Sequence, residues 1–311
     1  MTEGHASPAR IIVPFALITL IWGSTWIVIL GQLGTVPPSW SVTYRFIVAA
    51  MFMVVYALLT RASLRMGAMG HMLAISLGLL QFCLNFNLVY EAERYITSGI
   101  VAVSFSLLVV FNAILSRIFL KVPTSRRFIA GSAIAMTGVA LLFYNEFRVI
   151  SADSTAVLTG LGFTLIAIIS SSIANVMPAS SHARAVPVAS LLVWGMGYGV
   201  VANTIWSWAT AGPPVLEMTF SYIAGLVYLG GIASALAFLL YFGLIRKMGA
   251  ARAAYSGVIT PVIAMLFSTA LENYQWTAFA IGGGLLALAG LVVALWSRQP
   301  PPRPQPFGRD G

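Results

Sequence analysis

The strongest constraint on this chain is where its charges are missing. Asp, Glu, Lys and Arg are absent from ten stretches of at least 15 residues: 11–44, 46–60, 66–90, 95–116, 128–145, 154–183, 185–216, 218–245, 253–271 and 273–297. A bilayer core about 30 Å thick is crossed by about 20 mainly apolar helical residues. Only 8% of the 311 residues are charged, against about 25% in a soluble domain. The pattern predicts an all-α integral membrane protein with ten transmembrane helices. It excludes a soluble enzyme, a disulfide scaffold, a disordered chain and a porin-like barrel, whose strands would be about ten residues long and alternating.

The spans are expected near 11–32, 38–59, 71–90, 96–116, 127–145, 157–180, 187–209, 219–242, 251–271 and 276–297. Charge segregation orients them. Of the 17 Lys and Arg, 14 fall on the side of both termini, Arg94 and Arg148 fall on the other, and Arg45 lies inside span two. Basic loops stay cytoplasmic, so both termini are expected in the cytoplasm. The formal charge of +9 is then orientation and contact with anionic lipid head groups, and no nucleic-acid partner is expected. The first apolar stretch has a basic flank like a signal peptide, yet it is too long and lacks a small-residue cleavage site. It reads as a retained span. The single cysteine, Cys83, sits within a span and forms no internal disulfide.

The chain also repeats itself. At an offset of 152, Gly78 falls on Gly230, Phe86 on Phe238, Gly131 on Gly283 and Gly138 on Gly290. At 150, Gly99 falls on Gly249 and Ser106 on Ser256, with Phe105 beside Tyr255. Two five-helix halves follow, and an odd number of spans per half forces them into opposite orientations. The expected layout is a cytoplasmic tail over 1–10, a first repeat over 11–145, an external linker over 146–156, a second repeat over 157–297 and a disordered cytoplasmic tail over 298–311. Inverted repeats are the common architecture of alternating-access transporters, with the site near the midplane.

Several motifs resemble the drug/metabolite transporter superfamily in its ten-helix form with two EamA-type repeats. Trp22-Gly23-Ser24-Thr25 is similar to its opening motif, and Pro38 with Tyr44-Arg45-Phe46 to its second helix. The stretch Ala113 to Leu120, Pro123-Thr124, and Gly131 to Gly138 are similar to the end of the first repeat; Pro261-Val262-Ile263-Ala264, Glu272, and Gly283 to Gly290 are similar to the end of the second. The resemblance implies a bacterial cytoplasmic (inner) membrane exporter, most like those of aromatic and other hydrophobic amino acids. The family pattern sets Pro eleven residues before Glu in both repeats. Pro261 and Glu272 keep it; Phe111 and Val122 replace it in the first repeat. A mid-helix proline kinks a helix, so span four is expected to be straighter and stiffer, and Pro261 to be a hinge.

No nucleophile, phosphate or metal motif is present, and the three histidines, His5, His71 and His182, lie at tails or span ends. No enzyme, cofactor or metal is expected. No Asp or Glu lies mid-span either, which removes the usual proton acceptors of pumps and antiporters. Arg45 is the lone charge inside a span. It is either a partner for a substrate carboxylate or a structural anchor paired with Glu91, Glu93 or backbone carbonyls. The candidate substrate-binding residues are Trp22, Ser24, Gln81, Asn85, Asn112, Ser171, Asn175, Tyr255, Ser256 and Thr260. Each polar one has a plainer reading as interhelical glue. Gly195 and Gly199, and the triplet Gly282-Gly283-Gly284, read as helix-packing surfaces. The expected function is export of small amphipathic metabolites, aromatic amino acids first, by a monomer in the bilayer. A broader drug or metabolite exporter is the alternative within the class, and a membrane receptor or scaffold the alternative outside it.

Overall fold

The computed structural model describes residues 9–121, 125–149, 154–177, 186–248, 256–271 and 276–295. Residues 1–8, Val122, the centre of the external linker, Tyr255, Glu272 and the tail from residue 296 lie outside the described residues. Among the described residues all regular structure is helical. In chain order the segments are α1 (Ala9–Leu30) and α2 (Pro38–Leu59); α3 (Ala68–Ala92); α4 (Ser98–Ser104, Phe105–Leu107 and Leu108–Leu120); α5 (Arg126–Val149) and α6 (Ser154–Val176); α7 (Val188–Ala211); α8 (Phe220–Val227, Tyr228–Leu236 and Ala237–Met248); α9 (Ser256–Leu271) and α10 (Ala278–Leu295). Seven of them, α1 to α4 and α6 to α8, are long and apolar enough to cross a membrane. Their outer faces carry large bare hydrophobics such as Leu59, Ile118, Ile205 and Phe220. Water would make those faces untenable as a contiguous surface; lipid does not.

Local chemistry sets the ends. Pro38 opens α2 at a position where its missing N–H costs nothing. Lys121 ends α4 in the left-handed conformation at φ 54°, the turn that lets a chain leave a helix.

Two helices are interrupted alike. Within α3 the stretch Gly78–Asn85 is π-helical, and within α8 so is Tyr228–Leu236. Their starts are 150 residues apart, two short of the offset of 152 that the sequence repeat gives for these helices. A π-helical stretch loosens the regular carbonyl ladder, and side chains from neighbouring helices take up loosened groups. Ser170 Oγ donates to Leu80 O at 2.8 Å and Asn203 Nδ2 to Phe82 O at 2.9 Å. In the other half Trp22 Nε1 donates to Ala233 O at 3.3 Å.

Around Phe111, where the family pattern would set proline, α4 is uninterrupted α-helix over Leu108–Leu120. Just before that stretch it tightens into a 3-10 turn at Phe105–Leu107.

Glycines decide how the helices meet. A Cβ on Gly138 would strike the backbone nitrogen of Ala287 and lie 2.6 Å from Gly283 O; one on Gly131 would strike Ala294 and lie 2.6 Å from Gly290 O. So α5 and α10 cross with backbones touching and run antiparallel, since Gly131 meets Gly290 while Gly138 meets Gly283. Gly78 approaches Gly195 and Gly199 in the same way, which seats α3 on α7. Gly230 does so against Arg45 O and Val48, which seats α8 on α2. The remaining principal contacts pair α2 with α7, α1 with α9, and α4 with α6 and α9.

Candidate substrate site

Among the described residues the helices leave a large recess between them. It encloses about 150 Å³ and is lined from α1, α2, α3, α4, α6, α8 and α9. An apolar cavity of about that volume takes a single benzene-sized ring. Six aromatic side chains form its walls: Trp22, Trp26, Phe86, Phe105, Phe238 and Tyr241. They hold one another edge-on or tilted, Trp22 with Phe238 at 5.6 Å and with Tyr241 at 5.0 Å, and Trp26 with Phe105 at 5.2 Å. Pairs at this spacing prefer such geometry over face-to-face stacking, so the walls are fixed before anything binds.

Polar groups punctuate the apolar wall. Gln81, Asn85, Asn112, Ser171, Asn175, Ser256 and Thr260 all line the recess, as does Pro261. Gln81 and Asn85 share a face of the π-helical part of α3, and Ser171 Oγ donates to Gln81 Oε1 at 2.8 Å. Asn87 faces away and donates to Asn203 Oδ1 at 2.7 Å. Several lining groups are left without a protein partner: Trp26 Nε1, Asn85 Oδ1, Asn112 Oδ1, Ser106 Oγ and Thr260 Oγ1. Buried polar atoms are nearly always satisfied, by protein, water or ligand. A cluster of unsatisfied ones around a cavity marks where a ligand's own polar atoms belong.

Sequence reasoning missed Ser106, Thr25, Phe86, Phe105 and Phe238 as lining residues. Ser106 carried a signal, because it aligns with Ser256 in the repeat. Tyr255 lies outside the described residues. Ser24 is not among the lining residues. Its Oγ contacts the Tyr228 hydroxyl at 2.6 Å, fastening α1 to α8, while the next residue, Thr25, faces the cavity. Neighbouring helix positions point to different sides, so only one of the two faces a given recess. Ser24→Ala should therefore leave transport close to wild type and lower stability by about 0.6 kcal/mol, the mean worth of a polar contact between membrane helices. Flux and thermal unfolding of the same preparation check both halves.

Arg45 does not snorkel. It is 1% exposed and lines the recess. Its Nε donates to Ser234 Oγ at 2.9 Å, and its Cζ sits 4.3 Å from the Phe86 ring centroid. Nη1 has no partner. The expected tie to Glu91 is not made, because Glu91 pairs with Arg94 at 2.9 Å. A buried donor without a partner costs about 1–3 kcal/mol, more when charged, so Arg45 is a strained element of the resting site.

A membrane-embedded helical bundle around an aromatic, hydrogen-bonding recess defines a multi-pass membrane transporter of small molecules. The EamA-like transporter family matches residues 10–144 and 158–296, one repeat each, and the chain belongs to it. Salmonella typhimurium (strain LT2) "Protein PagO" is 26% identical over 285 residues, covering 91% of this chain and 90% of that one. A "Probable amino-acid metabolite efflux pump" of the same organism is 22% identical, covering 89% and 92%. The "Uncharacterized transporter YoaV" of Bacillus subtilis (strain 168) is 22% identical, covering 89% and 93%. A solved crystal structure shares the fold with a TM-score of 0.68 over 93% of this chain and 98% of that one, at 15% identity.

Proposed function

We propose that this protein exports small amphipathic metabolites, aromatic or other hydrophobic amino acids first, across the bacterial cytoplasmic (inner) membrane. It works as a ten-span monomer with both termini cytoplasmic, by alternating access between two inverted five-helix repeats, 11–145 and 157–297. The observation that carries this reading is the ring-sized recess with aromatic walls and unsatisfied amide and hydroxyl groups. Two further points support it. Repeat-equivalent helices α5 and α10 cross antiparallel through equivalent glycines, as two oppositely inserted halves require. The relative named as an amino-acid metabolite efflux pump covers nearly the whole chain.

The lining residues include no carboxylate. A proton relay through the site would need a group that binds and releases protons near neutrality. Efflux from proteoliposomes loaded with radiolabelled amino acids should run down the solute's own gradient. Its rate should be the same with and without an imposed pH gradient. Proton counterflow stoichiometric with solute would overturn the uncoupled mechanism. A protein that moves none of a broad amino-acid and drug panel would overturn the transport assignment.

A further inference from the structure

One charged side chain, Arg45, is among the residues lining the recess, and its Nη1 is without a protein partner. We infer that Arg45 anchors a carboxylate of the cargo, so that the cavity recognises amino acids by their acid end and rejects neutral or purely cationic aromatics of the same size. The inference rests on the transporter reading above and narrows its substrate class.

The geometry is that of a prepared anion site. Ser234, from the π-helical part of α8, accepts from Nε and fixes the plane of the guanidinium. Phe86 lies against its face at 4.3 Å, an arrangement that favours the cation. The edge is where carboxylates bind, through parallel N–H donors, and Nη1 lies on it without a partner. A Cβ on Gly230 would come within 2.6 Å of Arg45 O, so α8 packs directly on the α2 backbone at Arg45. Tyr90 and Glu93 act on the same charge from the α3 side, the hydroxyl of Tyr90 feeling both. Neither lines the recess.

The other unsatisfied groups suit the rest of the same molecule. Asn85 Oδ1 and Asn112 Oδ1 are acceptors without a donor, on α3 and α4. An α-ammonium supplies N–H donors and no acceptor. The aromatic walls take an apolar side chain. The carboxylate of an amino acid thus answers the orphan donor, whereas an amine of equal size leaves Arg45 Nη1 unanswered.

Binding to the purified full-length protein tests this, read as thermal shift and by calorimetry. The probes are L-phenylalanine, 3-phenylpropionate, L-phenylalaninamide and phenethylamine. The two acids should bind, and the amide and amine should bind about 10- to 100-fold more weakly, the range set by one charge-assisted hydrogen bond. Arg45→Lys should weaken acid binding about tenfold, since the ammonium keeps the charge and loses the planar fork. Ser234→Ala should weaken it by a smaller factor while leaving the amine unchanged. The comparison among probes needs only wild-type protein, so a variant that fails to fold leaves the test intact. Amide and amine binding as tightly as the acids would overturn the anchor and leave the transporter standing. Failure of all four probes to bind or to be transported would overturn the amino-acid reading as well.

Discussion

Gly138→Leu should give no folded, monodisperse protein, and Gly138→Ala should lower its stability by about 1–3 kcal/mol, the cost typical of overpacking. A methyl at Gly138 meets main chain, the nitrogen of Ala287 and the carbonyl of Gly283. Main chain cannot rotate aside as a side chain does. The helices must therefore separate along their whole contact, and dispersion at every neighbouring pair weakens with distance. Membrane helices gain little from hydrophobic burial against each other, because lipid tails are as apolar as leucine. Close packing is then most of what joins α5 to α10. Gly282 and Gly284 flank Gly283 and meet nothing within 4 Å. Gly282→Ala and Gly284→Ala should therefore change stability by no more than about 1 kcal/mol. Size-exclusion profiles and thermal unfolding in one detergent compare the three sites. Equal tolerance at Gly138 and Gly284 would show that α5 and α10 do not meet as described.

That contrast shows how far the sequence could be read. The triplet Gly282-Gly283-Gly284 looked like a packing surface, and only its middle member is one. Hydropathy registers how many residues avoid water, not which of three adjacent ones faces a partner. The offset of 152 did single out the right glycines, because Gly131 and Gly138 align with Gly283 and Gly290 and meet that same pair crosswise, Gly131 with Gly290 and Gly138 with Gly283. Segment positions were legible for the same reason that they form: charge is excluded wherever lipid surrounds the helix. The π-helical stretches and the 3-10 turn were not, since they depend on how backbone bonds shift to meet Ser170, Asn203 and Trp22. Arg45 was legible as an exception and illegible in its direction. Its depth along α2 allowed snorkelling; its azimuth buries it against Ser234 and Phe86.

Ser106→Phe should abolish transport, by about 100-fold or more, while the protein still folds. Ser106 is 2% exposed, lies in the 3-10 turn of α4 and lines the recess, and its Oγ has no partner. A recess of about 150 Å³ holds one ring. A phenyl group supplied by residue 106 fills it, and cargo must then displace packed side chain at a cost of at least about 2.7 kcal/mol for a 100-fold loss. Ser106→Ala is the counterpart. It preserves the space and removes an unsatisfied hydroxyl, so stability should hold or rise and flux should persist. Size-exclusion behaviour establishes folding for both, and efflux from proteoliposomes separates them. A folded Ser106→Phe protein that transports at the wild-type rate would place the path elsewhere. Loss of flux in both variants would instead make the hydroxyl itself a cargo ligand, since Ser106→Ala differs from wild type by that one oxygen.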